Sequence, residues 1–349
     1  MAGRCRFVGN YARMANMGKR NRWFLLVLAI VFFALCSACA AAPALPQAQP
    51  TLQPAQVSAT PEPTLADTPE PTPVPTPFSI VWLADTQTMS YYNYPGALAK
   101  MGQWIADEKD GRNIRYVVQT GDAVDEGWIA KQWKNFDQLY DEFRDKLPYF
   151  PIAGNHDVGM QWHGYGPYLA RPNVRSIPRF NSFEGGKAVF ATFSAGGTDF
   201  LLLGAGWESE LDAVGWMNDV LNRYPDRVAI SLFHGYINAD GTFTNIGQQM
   251  FDQVVSKHAN VRLVLCGHVR GTGYRADDID DTGDGKPDRR VNTMIYNYQH
   301  YDQNCGQLRL LTFDPVSRSI EVMTYSPVSD YFFRDDYFKA ETFTLEDAF

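Results

Sequence analysis

Five short apolar runs in this 349-residue sequence each end on a residue that can hold a metal ion or move a proton. Asp85 follows Ile80-Val81-Trp82-Leu83-Ala84, and Gly121-Asp122 follows Tyr116-Val117-Val118-Gln119. Gly154-Asn155-His156-Asp157 follows Tyr149-Phe150-Pro151-Ile152-Ala153, His234 ends Ala229-Ile230-Ser231-Leu232-Phe233, and Gly267-His268 ends the run from Val261 to Cys266. One Asp or His at a strand end is ordinarily a cap or turn residue; five such ends in one domain are hard to assign to capping. Oxygen and imidazole donors without thiolate suit Mn, Fe, Zn, Ni or Co, and a carboxylate can bridge two such ions. A divalent ion lowers the pKa of bound water enough to supply hydroxide near neutral pH, and its charge offsets that of a phosphoryl group. The chemistry implied is metal-assisted hydrolysis.

In this order the five segments resemble the calcineurin-like metallophosphoesterase family, whose pattern is D-x-H, G-D-x-x-D/N, G-N-H-D/E, H and G-H-x-H. They stand here as Asp85-Thr86-Gln87, Gly121-Asp122-Ala123-Val124-Asp125, Gly154-Asn155-His156-Asp157, His234 and Gly267-His268-Val269-Arg270. The resemblance runs from about Ser79 to the end of the chain. It implies a four-layer α/β/β/α sandwich, two mixed β-sheets flanked by helices, with one or two divalent ions at the strand ends. It also implies hydrolysis of a small phosphomonoester or phosphodiester. By resemblance Asp122 bridges two ions, and Asn155, His234 and His268 complete the second position. Asp85 serves the first position, whose two family imidazoles are replaced by Gln87 and Arg270. Gln87 offers a neutral carbonyl oxygen, whereas the always-charged guanidinium of Arg270 cannot ligate. The first position is then kept by Asp85, Asp122, Gln87 and waters, with Arg270 binding substrate phosphate; or only the second is filled; or catalysis is lost and the scaffold binds without turnover. His156 is expected as the acid that protonates the leaving oxygen, and Asp157 as the carboxylate that orients it.

Other segments carry weaker signals. Asn297 and Gln299, around Tyr298 and before His300, end an apolar run and are expected to line the substrate cleft or to form a plain strand exit. Tyr91, Tyr92 and Tyr94 follow the Asp85 loop and read either as packing or as a stacking surface for a base or sugar. Asp280 to Asp288 places oxygen side chains at relative positions 1, 3, 5 and 9 with glycine at 6, as in a calcium loop, although Val291 stands where such a loop has Glu. A glycine-rich hairpin turn accounts for the same residues.

The elements that must position the chemistry are legible as runs. Strands are expected at Ser79–Ala84, Ile114–Gln119, Tyr149–Ala153, Ala188–Phe193, Phe200–Leu203, Val228–Phe233, Val261–Cys266, Val291–Tyr298, Leu308–Phe313 and Ile320–Tyr325. Apolar residues three and four apart predict helices near Gly96–Asp107, Trp128–Phe143, Glu208–Arg223 and Ile246–Lys257. Alternation of strand and helix in the first half predicts a parallel sheet, and the consecutive strands at the end predict antiparallel pairing.

The first 77 residues have another character. Residues 1–22 hold six basic and no acidic residues, and Trp23 to Ala42 is uncharged and apolar, as in a signal-peptide core or a single membrane span. The run contains Leu35-Cys36-Ser37-Ala38-Cys39, which resembles a bacterial lipoprotein box with Cys39 as the lipidated residue. From Pro43 to Pro77 eleven of thirty-five positions are proline, which predicts a semi-extended spacer ahead of a phosphoesterase domain at 78–349. The expectation is an exported chain, held at the membrane by lipid or anchor, on the cell surface or the periplasmic side. Cys266 and Cys305 either pair there or stay separate thiols. The net charge of −8 becomes −14 beyond residue 22, so a nucleic-acid partner is not expected. The rival to a phosphoesterase is a cell-surface binding protein on a degenerate scaffold of the same fold.

Overall fold

The computed structural model describes residues 75–94, 96–159, 162, 166–177, 180–299, 306–334 and 340–349. The expectations for the leader, for Cys39 and for the spacer up to residue 74 lie outside the described residues, as do His300 and Cys305. No helix among the described residues is long and apolar enough to cross a membrane.

Among the described residues, fourteen strands and eight α-helices follow in chain order. They are β1 (Phe78–Leu83), α1 (Gln87–Tyr92), α2 (Ala97–Asp107), β2 (Ile114–Gln119), α3 (Ala130–Phe143), β3 (Tyr149–Pro151), α4 (Asn155–Val158), α5 (Gly166–Leu169) and α6 (Pro172–Arg175). After them come β4 (Asn181–Phe183), β5 (Ala188–Ala195), β6 (Thr198–Ala205), α7 (Val214–Arg223), β7 (Val228–Phe233), α8 (Asn245–Gln253) and β8 (Val261–Cys266). The end of the chain is β9 (Gly271–Ile279), β10 (Arg289–Asn297), β11 (Leu308–Asp314), β12 (Ser319–Ser326), β13 (Tyr331–Phe333) and β14 (Thr342–Leu345).

One sheet has the order β13-β12-β11-β1-β2-β3, with β14 also on β12; the other has the order β4-β5-β6-β7-β8-β10-β9. β1, β2 and β3 run parallel, as do β6, β7, β8 and β10, while β11 to β14 pair antiparallel. Successive side chains of a strand point to opposite faces, and β1 is buried throughout because both of its faces are covered. Phe78, Ile80 and Trp82 enter the core between the sheets, where they meet Phe200, Leu232 and Phe313. Val81 and Leu83 point the other way, into a second core with Met101 of α2 and Phe136 of α3. On the outer face of the other sheet, Met217 of α7 and Met250 of α8 cover Leu203 and Val264. The result is the expected arrangement of two mixed sheets with helices outside.

Parallel strands need crossovers, which α2 and α3 supply between β1, β2 and β3. The carboxyl ends of these strands therefore share one edge, where ligands gather in open α/β sheets. Two differences bear on the site. The expected helix from Glu208 starts only at Val214, because residues 206–213 form turns in which Glu208 has φ +60°. The expected calcium loop is the tip of the β9–β10 hairpin, and its carboxylates face inward. Asp280 accepts the N–H groups of Gly283, Asp284 and Gly285, and Asp288 accepts those of Asp281 and Thr282. These residues form the hairpin turn that is the other reading of the segment, and the cluster of metal-capable groups among the described residues lies elsewhere.

Candidate metal centre

Asp122, His234 and His268 bring their donor atoms within 4.8 Å of one another at the shared edge. Asn155 sits among them as the first residue of α4. Its Oδ1 lies 3.0 Å from His234 Nε2 and 3.0 Å from His268 Nδ1. His234 is fully buried, and its Nδ1–H donates to the Thr120 carbonyl at 2.7 Å, which fixes the tautomer and leaves Nε2 turned to Asn155 and to Asp122 Oδ2 at 3.3 Å. A bare lone pair facing two oxygens is repulsive, so a positive charge belongs between them. Burial alone lowers the His234 imidazole, but the Asp122 carboxylate overrules it and carries the group up to about 10. Burial likewise opposes charge on Asp122, yet His234 and the His156 N–H hold its carboxyl below the usual range. His268, pressed down by burial and by the neighbouring His234 charge, falls to about 4 and keeps a free lone pair. These donors fit a divalent ion, with borderline metals suited by the two imidazoles.

Asp85 and Gln87 flank this cluster. The Asp85 carboxylate takes the His268 N–H on both oxygens at 3.1 Å and the Asn297 amide on Oδ2 at 2.7 Å. Burial, more than the nearby Asp122 charge, raises its pKa well above the carboxylate range. Gln87 opens α1, is 1% exposed, and donates Nε2–H to Asp122 Oδ2 at 2.9 Å. Its Oε1 is buried with no hydrogen-bond partner. Three of these residues carry left-handed backbone: Asp85 at φ +52°, Asp122 at +52° and His268 at +68°. Each costs about 1–2 kcal/mol for a non-glycine residue, a strain that persists where surrounding contacts over-determine it. The contacts here are tight, since a Cβ on Gly154 would overlap Asp122 Oδ1 and one on Gly267 would overlap Asp85 Oδ1.

The partner of His156 is corrected. Its Nδ1 lies 2.7 Å from the Asp125 carbonyl and 3.1 Å from Asp125 Oδ1, and the ring is about one-third exposed. Asp157 is fully buried beneath it, accepting the N–H groups of Val124 and Gly154 and the Tyr168 hydroxyl. Burial, reinforced by Asp122, pushes the Asp157 carboxyl up to about 7. Asp157 therefore braces the loops, and Asp125 holds the imidazole. Asn297 and Gln299 are corrected too, because both are buried. Asn297 donates to Asp85 and to the His268 carbonyl, while Gln299 accepts from Thr88. Both side chains are thus held within the fold by neighbouring residues. Arg270 is exposed beyond His268, with no hydrogen bond or ion pair to the described residues. Tyr91 and Tyr92 are exposed and pack on each other edge to face, whereas Tyr94 rests on the outer core. Cys266 is a free, buried thiol, driven up to about 12 by burial.

Two residues of the site went unread in the sequence. Trp207, just past β6, stacks obliquely on His268 with ring centres 4.7 Å apart and turns an edge to His234. Glu210, buried on the same loop, has an Oε1 without a partner, and burial pushes its carboxyl up to about 7. The folded chain keeps that proton to a higher pH than the unfolded chain, whose Glu titrates near 4.5. Folding thus takes up a proton between those limits, and this contribution to stability is lost as pH rises through them. Glu210→Gln is expected to flatten the slope and to raise stability at pH 8 by up to about 3 kcal/mol, read from urea unfolding at pH 5 and pH 8.

Comparison with known proteins agrees with this geometry. Residues 78–269 match the family described as calcineurin-like phosphoesterase. The chain is 37% identical over 283 residues, 78% of its length, to the uncharacterized protein YvnB of Bacillus subtilis (strain 168), and spans only 21% of that protein. It is 29% identical over 211 residues to a probable cyclic nucleotide phosphodiesterase of Moraxella catarrhalis (strain BBH18), which covers 56% of this chain and 73% of that protein. The structure of purple acid phosphatase PPD1 from yellow lupin (Lupinus luteus) seeds superposes with a TM-score of 0.51 over 78% of this chain and 54% of that one, at 15% identity, a likeness of fold. With the family match extending over more than half of its residues, the chain belongs to the calcineurin-like phosphoesterase family.

Proposed function

We propose that the chain hydrolyses a small phosphomonoester or phosphodiester outside the cytoplasm, with a divalent metal held by Asp122, Asn155, His234 and His268. The observation that carries this reading is the convergence of two imidazoles, an amide oxygen and a carboxylate beside a partly exposed His156. A bound ion would supply a nucleophile by acidifying water and would offset phosphoryl charge. His156, held by Asp125, then stands ready to protonate the leaving oxygen. The Moraxella relative lends support to a phosphodiester among the candidate substrates. Export rests on the basic and apolar leader, and membrane attachment on Cys39 or on the apolar run itself.

Metal content of the purified chain, together with turnover of p-nitrophenyl phosphate and its bis-ester in added Mn²⁺, tests the reading. Metal-dependent turnover of either ester supports it. A metal-loaded chain inert toward both would leave the binding-protein alternative.

Arg270 fills the role of a phosphate clamp in this reading, since a guanidinium makes two parallel charge-assisted hydrogen bonds to a phosphoryl group. Arg270→Ala should lower kcat/KM by about 1.5–3 kcal/mol, roughly 10–150-fold. The urea midpoint should not move, because the side chain has no partner among the described residues. An unchanged kcat/KM would place the guanidinium away from bound phosphate.

A further inference from the structure

We propose that the chain carries a second ligand site, at the end of the sheets opposite the metal centre, which binds a small organic anion with an apolar body. The inference stands apart from the phosphoesterase reading and does not need it.

The site is a cleft of about 630 Å³, within the range of roughly 300–1,000 Å³ usual for small-molecule pockets. It lies where the amino ends of β2 and β3 meet the carboxyl end of β5, so it touches one edge of each sheet. β2 is six residues long, which separates its ends by roughly 20 Å. A ligand here is therefore remote from Asp122, which follows the far end of that strand.

Charge in the cleft runs against the rest of the chain. The net charge is −8, yet Lys109, Arg115, Arg144 and Lys146 line the cleft against two carboxylates, Asp110 and Asp145. Those carboxylates are already engaged, Asp110 by Lys109 at 2.6 Å and Asp145 by Arg144 at 3.6 Å. Arg115 and Lys146 are the surplus, because neither side chain has a hydrogen bond or ion pair to the described residues. Two uncompensated cations in a concavity focus a positive potential and draw an anion.

A break in register brings Arg115 there. Side chains of a regular strand alternate between faces, so Arg115 and Tyr116 would point apart. Ser79 pairs with Ile114, however, and the next residue, Ile80, pairs with Tyr116, which leaves Arg115 as the extra residue of a bulge. Bulges bend a strand and re-aim its side chains. Arg115 and Tyr116 accordingly both line the cleft.

The Tyr116 hydroxyl points to a specific occupant. The residue is 2% exposed, and its oxygen is buried with no hydrogen-bond partner, a costly state for a hydroxyl. Burial pushes the phenol pKa up, so the group keeps its proton and can donate. Phe193, whose ring centre lies 5.0 Å from that of Tyr116, and the buried Ile177 give the same cleft an apolar wall. The ligand that answers all of these has an anionic head for Arg115 and Lys146, an apolar body, and an oxygen that accepts from Tyr116. Aromatic carboxylates and sulfonates with a second oxygen function are of this class.

The probe for the test is 4-acetylbenzenesulfonate, which has all three features and no phosphoester bond; 4-acetylbenzenesulfonamide is its neutral counterpart. The full chain is titrated with each, and binding is read by saturation-transfer NMR. The sulfonate should bind at least tenfold more tightly than the sulfonamide, and inorganic phosphate should displace it only at tenfold or more higher concentration. Arg115→Ala should weaken the sulfonate about tenfold or more and Lys146→Ala about three- to tenfold, with the sulfonamide unaffected. Both cations are exposed, so these variants should fold. Tyr116→Phe should weaken both probes about two- to tenfold without lowering the urea midpoint, because the hydroxyl it removes has no partner in the fold. A sulfonate that does not bind overturns the proposal, as does binding indifferent to Arg115→Ala and Lys146→Ala, which would place the probe elsewhere. Phosphate that competes as well as the sulfonate would reduce the cleft to a plain anion site. A Tyr116→Phe chain that unfolds at lower urea would give the hydroxyl a partner inside the protein. Either result removes the organic ligand.

Discussion

Replacing His156 by alanine should lower kcat by about 10²–10⁴-fold, the range for loss of a general acid, with bound metal and unfolding midpoint unchanged. The ring is about one-third exposed, so truncation opens no core cavity, and its tie to the fold is the contact with Asp125. The backbone N–H of residue 156, which supports Asp122, survives the substitution. Two further variants separate the carboxylates near it. Asp125→Asn should cost about tenfold in kcat by loosening the imidazole. Asp157→Asn should cost about 1–3 kcal/mol of stability instead, because its three donors lose a shared acceptor in a buried place. Steady-state rates and urea melts on the three proteins decide between these assignments. If Asp157→Asn abolishes turnover in a fully folded chain while Asp125→Asn does not, the roles are reversed.

Asp122→Asn is expected to be more damaging still, with losses in both metal affinity and kcat/KM well beyond the 10–100-fold typical of a residue that only supports a ligand. Oδ1 accepts the His156 N–H, and Oδ2 receives Gln87 and faces His234 at 3.3 Å. An amide can offer only one oxygen to this set. Its NH₂ must meet either a backbone donor or the two side-chain nitrogens, and His234 loses the charge that carries its imidazole up to about 10. His268→Ala should give a comparable loss, while Gln87→Leu should be milder because the imidazole position is left intact. Isothermal titration with Zn²⁺ and kcat/KM at saturating metal report the ranking. Equal losses for all three would mean that neither position works without the other.

The sequence carried the outline because each ligand stands at the end of an apolar run long enough to read as a strand. Parallel order then brings the ends of β1, β2, β3, β7 and β8 to one edge. What failed was direction. His156 and Asp157 are neighbours in sequence, but consecutive positions of a helical turn point about 100° apart, so Asp157 faces inward and a residue thirty-one positions earlier takes its place. Asn297 has the residue type of a substrate ligand and the placement of an internal brace, which only the pairing of β10 with β8 reveals. β9 escaped notice because its outer half alternates with charged residues, and α1 and α4 are too short for an apolar period to show. Trp207 and Glu210 sit in a turn segment that carries the apolar spacing of a helix, so their nearness to the histidines had no signature in sequence.

The close approach at Gly154 and Gly267 bears on how such a centre can change over generations. Each loop is mortised into the next, backbone against carboxylate, so a bulkier residue at either glycine would demand simultaneous refitting of two distant segments. A side chain that merely projects into the centre meets no such constraint. Gln87, one of the two departures from the family pattern, is of this second kind; Arg270, the other, stands exposed beyond His268, while Gly121, Gly154 and Gly267 stand in place. The side chains that reach into this framework are open to single substitutions; its joinery is not.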